Sequence, residues 1–236
     1  MFLDSFHRKQ DGYVLISADQ ASNFAKDVAG DFNPIHNPDA KRFCVPGDLL
    51  FALVLQRYGV SERMAVRFSG MVGDNVPLVF PEVDEGVVDI QDTNGKAYLH
   101  LEHGGKTSHD AQLIEQLTRH YVAFSGHNFP FIMVPLMEKH GVMFNPKRPL
   151  VIYESMAFEL NRLDIQNPEM ELANTSLDVN GKRGDAHFEF NITADGEVVG
   201  TGSKKLIVSG LMPYDSAAMD DMVEQFEVLK QQRFGR

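Results

Sequence analysis

The stretch Val45-Pro46-Gly47-Asp48-Leu49-Leu50-Phe51-Ala52-Leu53-Val54-Leu55-Gln56-Arg57-Tyr58-Gly59 is apolar on nearly every side of a helix running from Asp48 to Tyr58, and a glycine stops it. A surface helix carries its apolar residues on one stripe, so a helix with this profile is expected to be buried, wrapped by a sheet. Downstream the period changes to that of strands. Ala65 to Phe68, Val76 to Phe80, Gly86 to Ile90 and Ala97 to Leu101 read as strands, with turns at Gly73-Asp74-Asn75 and Asn94-Gly95. Asn-Gly between alternating runs is a strong hairpin signal.

The second half repeats this plan. A helix expected from Asp110 to Phe124 carries Leu113, Leu117, Tyr121 and Phe124 on one stripe and precedes Asn128-Phe-Pro-Phe-Ile-Met-Val-Pro-Leu-Met-Glu-Lys-His-Gly141. That run echoes the first apolar helix and is likewise closed by glycine, 82 positions after Gly59. Strands are expected at Leu150 to Tyr153, Met156 to Leu163, Met170 to Val179, His187 to Thr193 and Val198 to Val208, with Asn180-Gly181 and Asp195-Gly196 as hairpin turns. The tail, Ser216 to Gly235, reads as an amphipathic helix capped by Ser216, with Met219, Met222, Val223, Phe226 and Leu229 on one face, and it is expected to dock on the body. The organisation that follows is 1–109, 110–210 and a terminal helix, 211–236.

Ahead of the apolar helix, Tyr13 to Ile16 reads as a strand and Ser17 as the cap of a helix through Ala21, Phe24, Ala25 and Val28. That helix delivers the chain to Gly30-Asp31-Phe32-Asn33-Pro34-Ile35-His36. Pro34 disfavours helical backbone at Asn33, so Asp31 and His36 are presented from an irregular segment. A carboxylate and an imidazole are the usual general acid and base. Turn chemistry alone would account for the glycine, the asparagine and the proline, but not for all seven places.

This run resembles the Gly-Asp-x-Asn-Pro-Leu/Ile-His signature of the MaoC-like, R-specific enoyl-CoA hydratases (hydratase 2). The resemblance implies a hot-dog fold, and with the repeated plan and the tail helix the expectation is an α+β double hot-dog, two sheet-wrapped helices in one chain with a C-terminal helix added. It also implies that Asp31 and His36 activate water and move a proton, that Asn33 orients them, and that a backbone N–H at or near Gly47 faces a thioester oxygen. Phe32, Pro34, Lys41, Arg42, Asp48, Phe51 and His127 are the candidate substrate contacts, Lys41 and Arg42 for a coenzyme A phosphate. The chain departs from the family in its short connection, eleven positions from His36 to Gly47, in Asp48 after the glycine, and in Pro38 two places after the histidine. The second half has Ser125-Gly126-His127-Asn128 where the first has the motif, so one site per chain is expected.

A formal charge of -11 argues against nucleic-acid binding. The single cysteine, Cys44, excludes an internal disulfide and a zinc cluster built on cysteines, and fits a reducing compartment. His100, His103 and His109 are spaced like loose metal ligands but are expected to be solvated. The opening lacks the apolar core of a signal peptide, and the longest apolar run, Leu49 to Leu55, is far short of the ~20 residues that span a bilayer. A cytoplasmic protein is expected, without metal or cofactor, acting on a small acyl-CoA, with homodimerisation left open. The leading activity is hydration or dehydration of a 2-enoyl-CoA. The alternatives are a non-catalytic acyl-CoA-binding or regulatory protein on the same fold, and a thioesterase.

Overall fold

The computed structural model describes residues 2–83 and 86–235. In the first half, β1 (Arg8–Gln10) and β2 (Tyr13–Leu15) lead into α1 (Ala18–Phe24), then α2 (Gly47–Tyr58), β3 (Val60–Phe68), β4 (Leu78–Val79), β5 (Gly86–Asp92) and β6 (Ala97–Ser108). The second half runs α3 (Ala111–Gly126), α4 (Met133–His140), β7 (Val142–Met143), β8 (Leu150–Leu160), β9 (Glu169–Asn180), β10 (Arg183–Ala194), β11 (Glu197–Ser209) and β12 (Met212–Pro213), and α5 (Ser216–Phe234) ends the chain.

One antiparallel sheet of ten strands, ordered β1-β2-β4-β5-β6-β3-β8-β11-β10-β9, runs through both halves, and β12 pairs with β7 apart from it. The order holds the repeat. In each half the strand that follows the helices pairs with the third strand after it, giving β3-β6-β5-β4 on one side and β8-β11-β10-β9 on the other. The two leading strands, β3 and β8, meet at the centre with Ala65 opposite Ala157 and Arg63 opposite Glu159. Met64 and Val66 of β3 and Met156, Phe158 and Leu160 of β8 point into the core while their neighbours in sequence point out, the alternation of a sheet covered on one face. The fold is a double hot-dog with a C-terminal helix.

The expected buried helix is α2. Leu49, Phe51, Ala52, Val54 and Leu55 have no exposed surface, and Phe51 stacks on Tyr121 of α3 with ring centroids 4.5 Å apart. Each fully buried side chain of this size stabilises the fold by about 1.5–3 kcal/mol, so α2 is the centre of the first core. Its counterpart differs from the expectation. Asn128–Ile132 forms a wide turn, α4 starts only at Met133, and Met133, Leu136 and Met137 are buried while Glu138, Lys139 and His140 face water. Phe129 stands in extended backbone before Pro130, which keeps the helix from starting earlier, and the polar last turn Glu138-Lys139-His140 falls opposite Gln56-Arg57-Tyr58, so a shorter apolar run is left between.

Smaller differences have local causes. Leu150 to Leu163 was expected as two strands but yields one, β8, with an irregularity in its pairing opposite Lys205/Leu206. β6 runs on through His103, which is buried beside Ser61 and not solvated. The cap of α5 is Asp215, whose side chain accepts from the Ala218 amide, and not Ser216. Ser17 does cap α1, in a reciprocal arrangement with Gln20. The Asp195-Gly196 turn places both residues at positive φ, as a tight two-residue hairpin requires.

Candidate active site

α1 continues into a wide turn, Ala25–Ala29, that closes at Gly30 in the left-handed conformation, and the Asp31 amide donates back to Ala25 O. Asp31 then folds over its own loop: one carboxylate oxygen accepts from the Asn33 amide at 2.8 Å. Asn33 caps the short turn Pro34–His36 through the Ile35 amide, and its Nδ2 donates across to Val151 O of β8 at 3.3 Å. The motif loop of the first half is therefore tied to a strand of the second.

His36 is 8% exposed. Its Nδ1 lies 2.7 Å from Cys44 O; a carbonyl only accepts, so Nδ1 carries a proton and Nε2 is the nitrogen free for chemistry. Nε2 lies 3.5 Å from the second carboxylate oxygen of Asp31, longer than a good hydrogen bond and short enough for the two groups to bind one water. Burial pulls the imidazole pKa down, but Asp31, the Cys44 carbonyl and the more distant Asp48 together outweigh it and the value is raised. Cys44 itself is no nucleophile: burial pushes its thiol up to about 11.

A cavity of about 510 Å³ opens beside the pair. Asp31, Phe32, Asn33, Pro34, His36 and Gly47 all line it, with Ser125, Asn128, Met133, Phe144, Tyr153 and Leu206 of the second half opposite. The remaining expected contacts lie elsewhere. Lys41 and Arg42 sit on an exposed turn, Phe51 is fully buried against Tyr121, and His127 is exposed beside Phe131; none of the three sites is on the cavity wall.

Asp48 does not face the cavity either. It turns back into the interface with α3 and β11, where Ser125 Oγ donates to its Oδ1 at 2.8 Å and Lys204 Nζ lies 3.8 Å away. Lys204 also donates to Ser125 Oγ and to Tyr121 O, and is 1% exposed. Burial raises the Asp48 carboxyl pKa and lowers that of the Lys204 ammonium, and each opposes the other's shift by attraction. The buried cation behind Asp48 offsets part of the repulsion that an acid at the head of α2 exerts on negative charge in the cavity.

The head of α2 has no side-chain cap. The amides of Leu49 and Leu50 both return to Pro46 O, and those of Gly47 and Asp48 make no hydrogen bond among the described residues. Free amides at a helix start favour an anion or a developing negative charge.

Sequence reasoning missed Ser125, Asn128, Tyr153 and Lys204 as parts of this neighbourhood. Only the lysine left a signal, a cation in the middle of an alternating strand. It also missed Lys147 and Arg148, exposed between two cavity-lining prolines, Pro146 and Pro149.

A family model described as a protein of unknown function, DUF3581, matches residues 1–217. The chain belongs to the DUF3581 family. No curated protein matches this DUF3581 chain. Among solved structures it aligns with the acyl-CoA thioesterase II TesB2 from Mycobacterium marinum at 10% identity and a TM-score of 0.44, over 91% of this chain and 100% of that one. It aligns with a protein described as thioesterase II from Thermobifida fusca YX at 11% identity and a TM-score of 0.42, over 88% and 97%. Those activities are named for those proteins; the fold of the DUF3581 chain rests on its own strand order. No helix among the described residues is long and apolar enough to cross a membrane.

Proposed function

We propose that the cavity is the active site of an acyl-thioester enzyme that activates water with Asp31 and His36. One observation carries this reading: a carboxylate and an imidazole nitrogen 3.5 Å apart line the same apolar cavity as Gly47, at the uncapped head of a buried helix. The thioester oxygen docks on the free amides there, and the water bridges Asp31 and His36 from the cavity side. Each preorganised donor of this kind is worth on the order of 10²–10³ in rate, and the acid–base pair roughly 10²–10⁴.

Two reactions use that water. In hydration of a 2-enoyl thioester, Asp31 takes a proton from the water, oxygen bonds to C3, the double-bond electrons move onto the thioester oxygen as an enolate, and imidazolium His36 gives its Nε2 proton to C2 as the carbonyl re-forms, Asp31 then passing its proton to Nε2. In hydrolysis Asp31 takes a proton from the same water as its oxygen bonds to the thioester carbon, the tetrahedral oxyanion collapses with cleavage of the C–S bond, and the sulfur leaves with the Nε2 proton of His36 in its imidazolium form. Hydration requires both members of the pair, which the motif supplies. Hydrolysis asks for one base and a strong oxyanion site, and the paired amides of Gly47 and Asp48 favour it as the second reading. In both, Lys147 and Arg148, exposed between two cavity-lining prolines, offer positive charge to a phosphate-bearing carrier such as coenzyme A.

The test follows loss of enoyl absorbance with 2-enoyl-CoAs, and release of free thiol with saturated acyl-CoAs. Turnover in either assay that falls at least 100-fold in Asp31→Asn and His36→Ala supports the proposal. Turnover unchanged in both variants refutes it. Stabilisation by acyl-CoA in a thermal-shift titration without any product identifies a binder instead.

A further inference from the structure

The structure assigns a role to α5, which the motif does not predict: we infer that this helix is the wall that sets the length of acyl chain the cavity accepts. The inference rests on the acyl-thioester reading above and extends it. α5 lies almost wholly beyond the residues matched by the family model, which end at 217.

The helix presents two stripes to the body. Met219 and Phe226 are the buried anchors, and Ala218, Asp221, Met222, Gln225 and Leu229, with Phe226 itself, border the cavity. Met222 packs with the second apolar cluster, which includes Phe144 and Leu206. Asp31, His36 and Gly47 line the same cavity, whose α5 wall is apolar apart from Asp221 and Gln225. An acyl group whose carbonyl sits at Gly47 shares the cavity with these α5 side chains, and their volume limits the length of chain it accommodates.

The wall is also in contact with the reacting loop. Phe32, the residue between Asp31 and Phe32's own neighbour Asn33, packs edge-on against Phe226, ring centroids 5.6 Å apart, and against Phe234 at 6.2 Å. Phe226 packs in the same way on Phe129 of the second half at 5.4 Å. The two ends of α5 are fastened differently. Its start follows the β12–β7 pairing and is fixed by the fully buried Met219, while its last turn is held by Arg233, forked on Asp27 with a further bond to Asn23, all at the surface. Exposed ion pairs contribute little, so the last turns of α5 are the side from which the wall gives way.

The experiment uses the full chain and two variants, Met222→Trp to thicken the wall and Arg233→Glu to loosen its far end. Free fatty acids of increasing length are titrated by thermal shift, and acyl-CoAs of the same lengths are assayed for turnover. In Met222→Trp the longest ligands are expected to lose at least 10-fold in affinity and turnover while the shortest stay within two-fold. In Arg233→Glu the preference is expected to move to longer chains. A uniform loss across all lengths, no change at any length, or a wild type that binds no fatty acid of any length overturns the inference. Length-dependent binding without turnover of any thioester leaves the wall in place and refutes the catalytic reading alone.

Discussion

The two halves share a strand order and divide the labour. The first supplies Asp31, His36 and a helix head at Gly47; at the matching place the second supplies Ser125-Gly126-His127-Asn128, with no acid and with its histidine turned to water. What the second half does instead is hold. Val151 O receives Asn33, Ser125 and Lys204 receive Asp48, and Gly126 lies so close to the motif that a Cβ there would stand 2.0 Å from Ala29 O. The half without the motif is the support on which the other half's loop and helix are set.

The contrast is broken most severely by moving chemistry. Asp31→Asn or His36→Ala is expected to lower turnover by roughly 10²–10⁴, whereas His127→Ala leaves it within about two-fold, as steady-state kinetics on the three variants will read. Next in size is the buried support. Lys204→Met strands the Asp48 carboxylate and is expected to cost about 3–5 kcal/mol in urea unfolding, and adding Asp48→Asn recovers part of that loss because no unpaired charge then stays buried.

Gly126→Ala pushes a methyl group into the backbone of Ala29 and Gly30 and is expected to cost about 1–3 kcal/mol, with a fall in turnover although the residue belongs to the half without the motif. The smallest expected effect is one of pH. The pKa of His36 is raised above 6.5, so the stability it contributes is fully present below that value and is lost as pH rises through the raised one. Unfolding free energies measured across that window should decline in the wild type and decline less in Asp31→Asn, where the carboxylate that raises the imidazole is gone.

Much of this was legible in the sequence, and the residues say why. α2 announces itself because a helix apolar on all sides has only one place to go, and the Asn-Gly and Asp-Gly pairs fix where strands turn. Asp31, Asn33 and His36 are close in sequence and held by local turns, so their convergence needs no tertiary information. Asp48 is the opposite case. Its side chain points away from the cavity because of Ser125 and Lys204, 77 and 156 positions further along the chain, and no local pattern carries such a partnership. Lys41 and Arg42 were expected at the site because they follow the motif closely, yet the turn that carries them faces water, and the cations beside the cavity come from Pro146-Lys147-Arg148-Pro149. The half-exposed face of α4 was readable in Glu138-Lys139-His140, but the apolar echo around it was the stronger signal.

The most direct test of the account is a crystal structure with a non-hydrolysable acyl-thioester analogue bound. Its carbonyl oxygen is expected within hydrogen-bond distance of the Gly47 or Asp48 amide, with a water or its mimic touching both Asp31 and His36. An analogue seated against the second half's Ser125–Asn128 stretch alone, with Asp31, His36 and the head of α2 untouched, would contradict it.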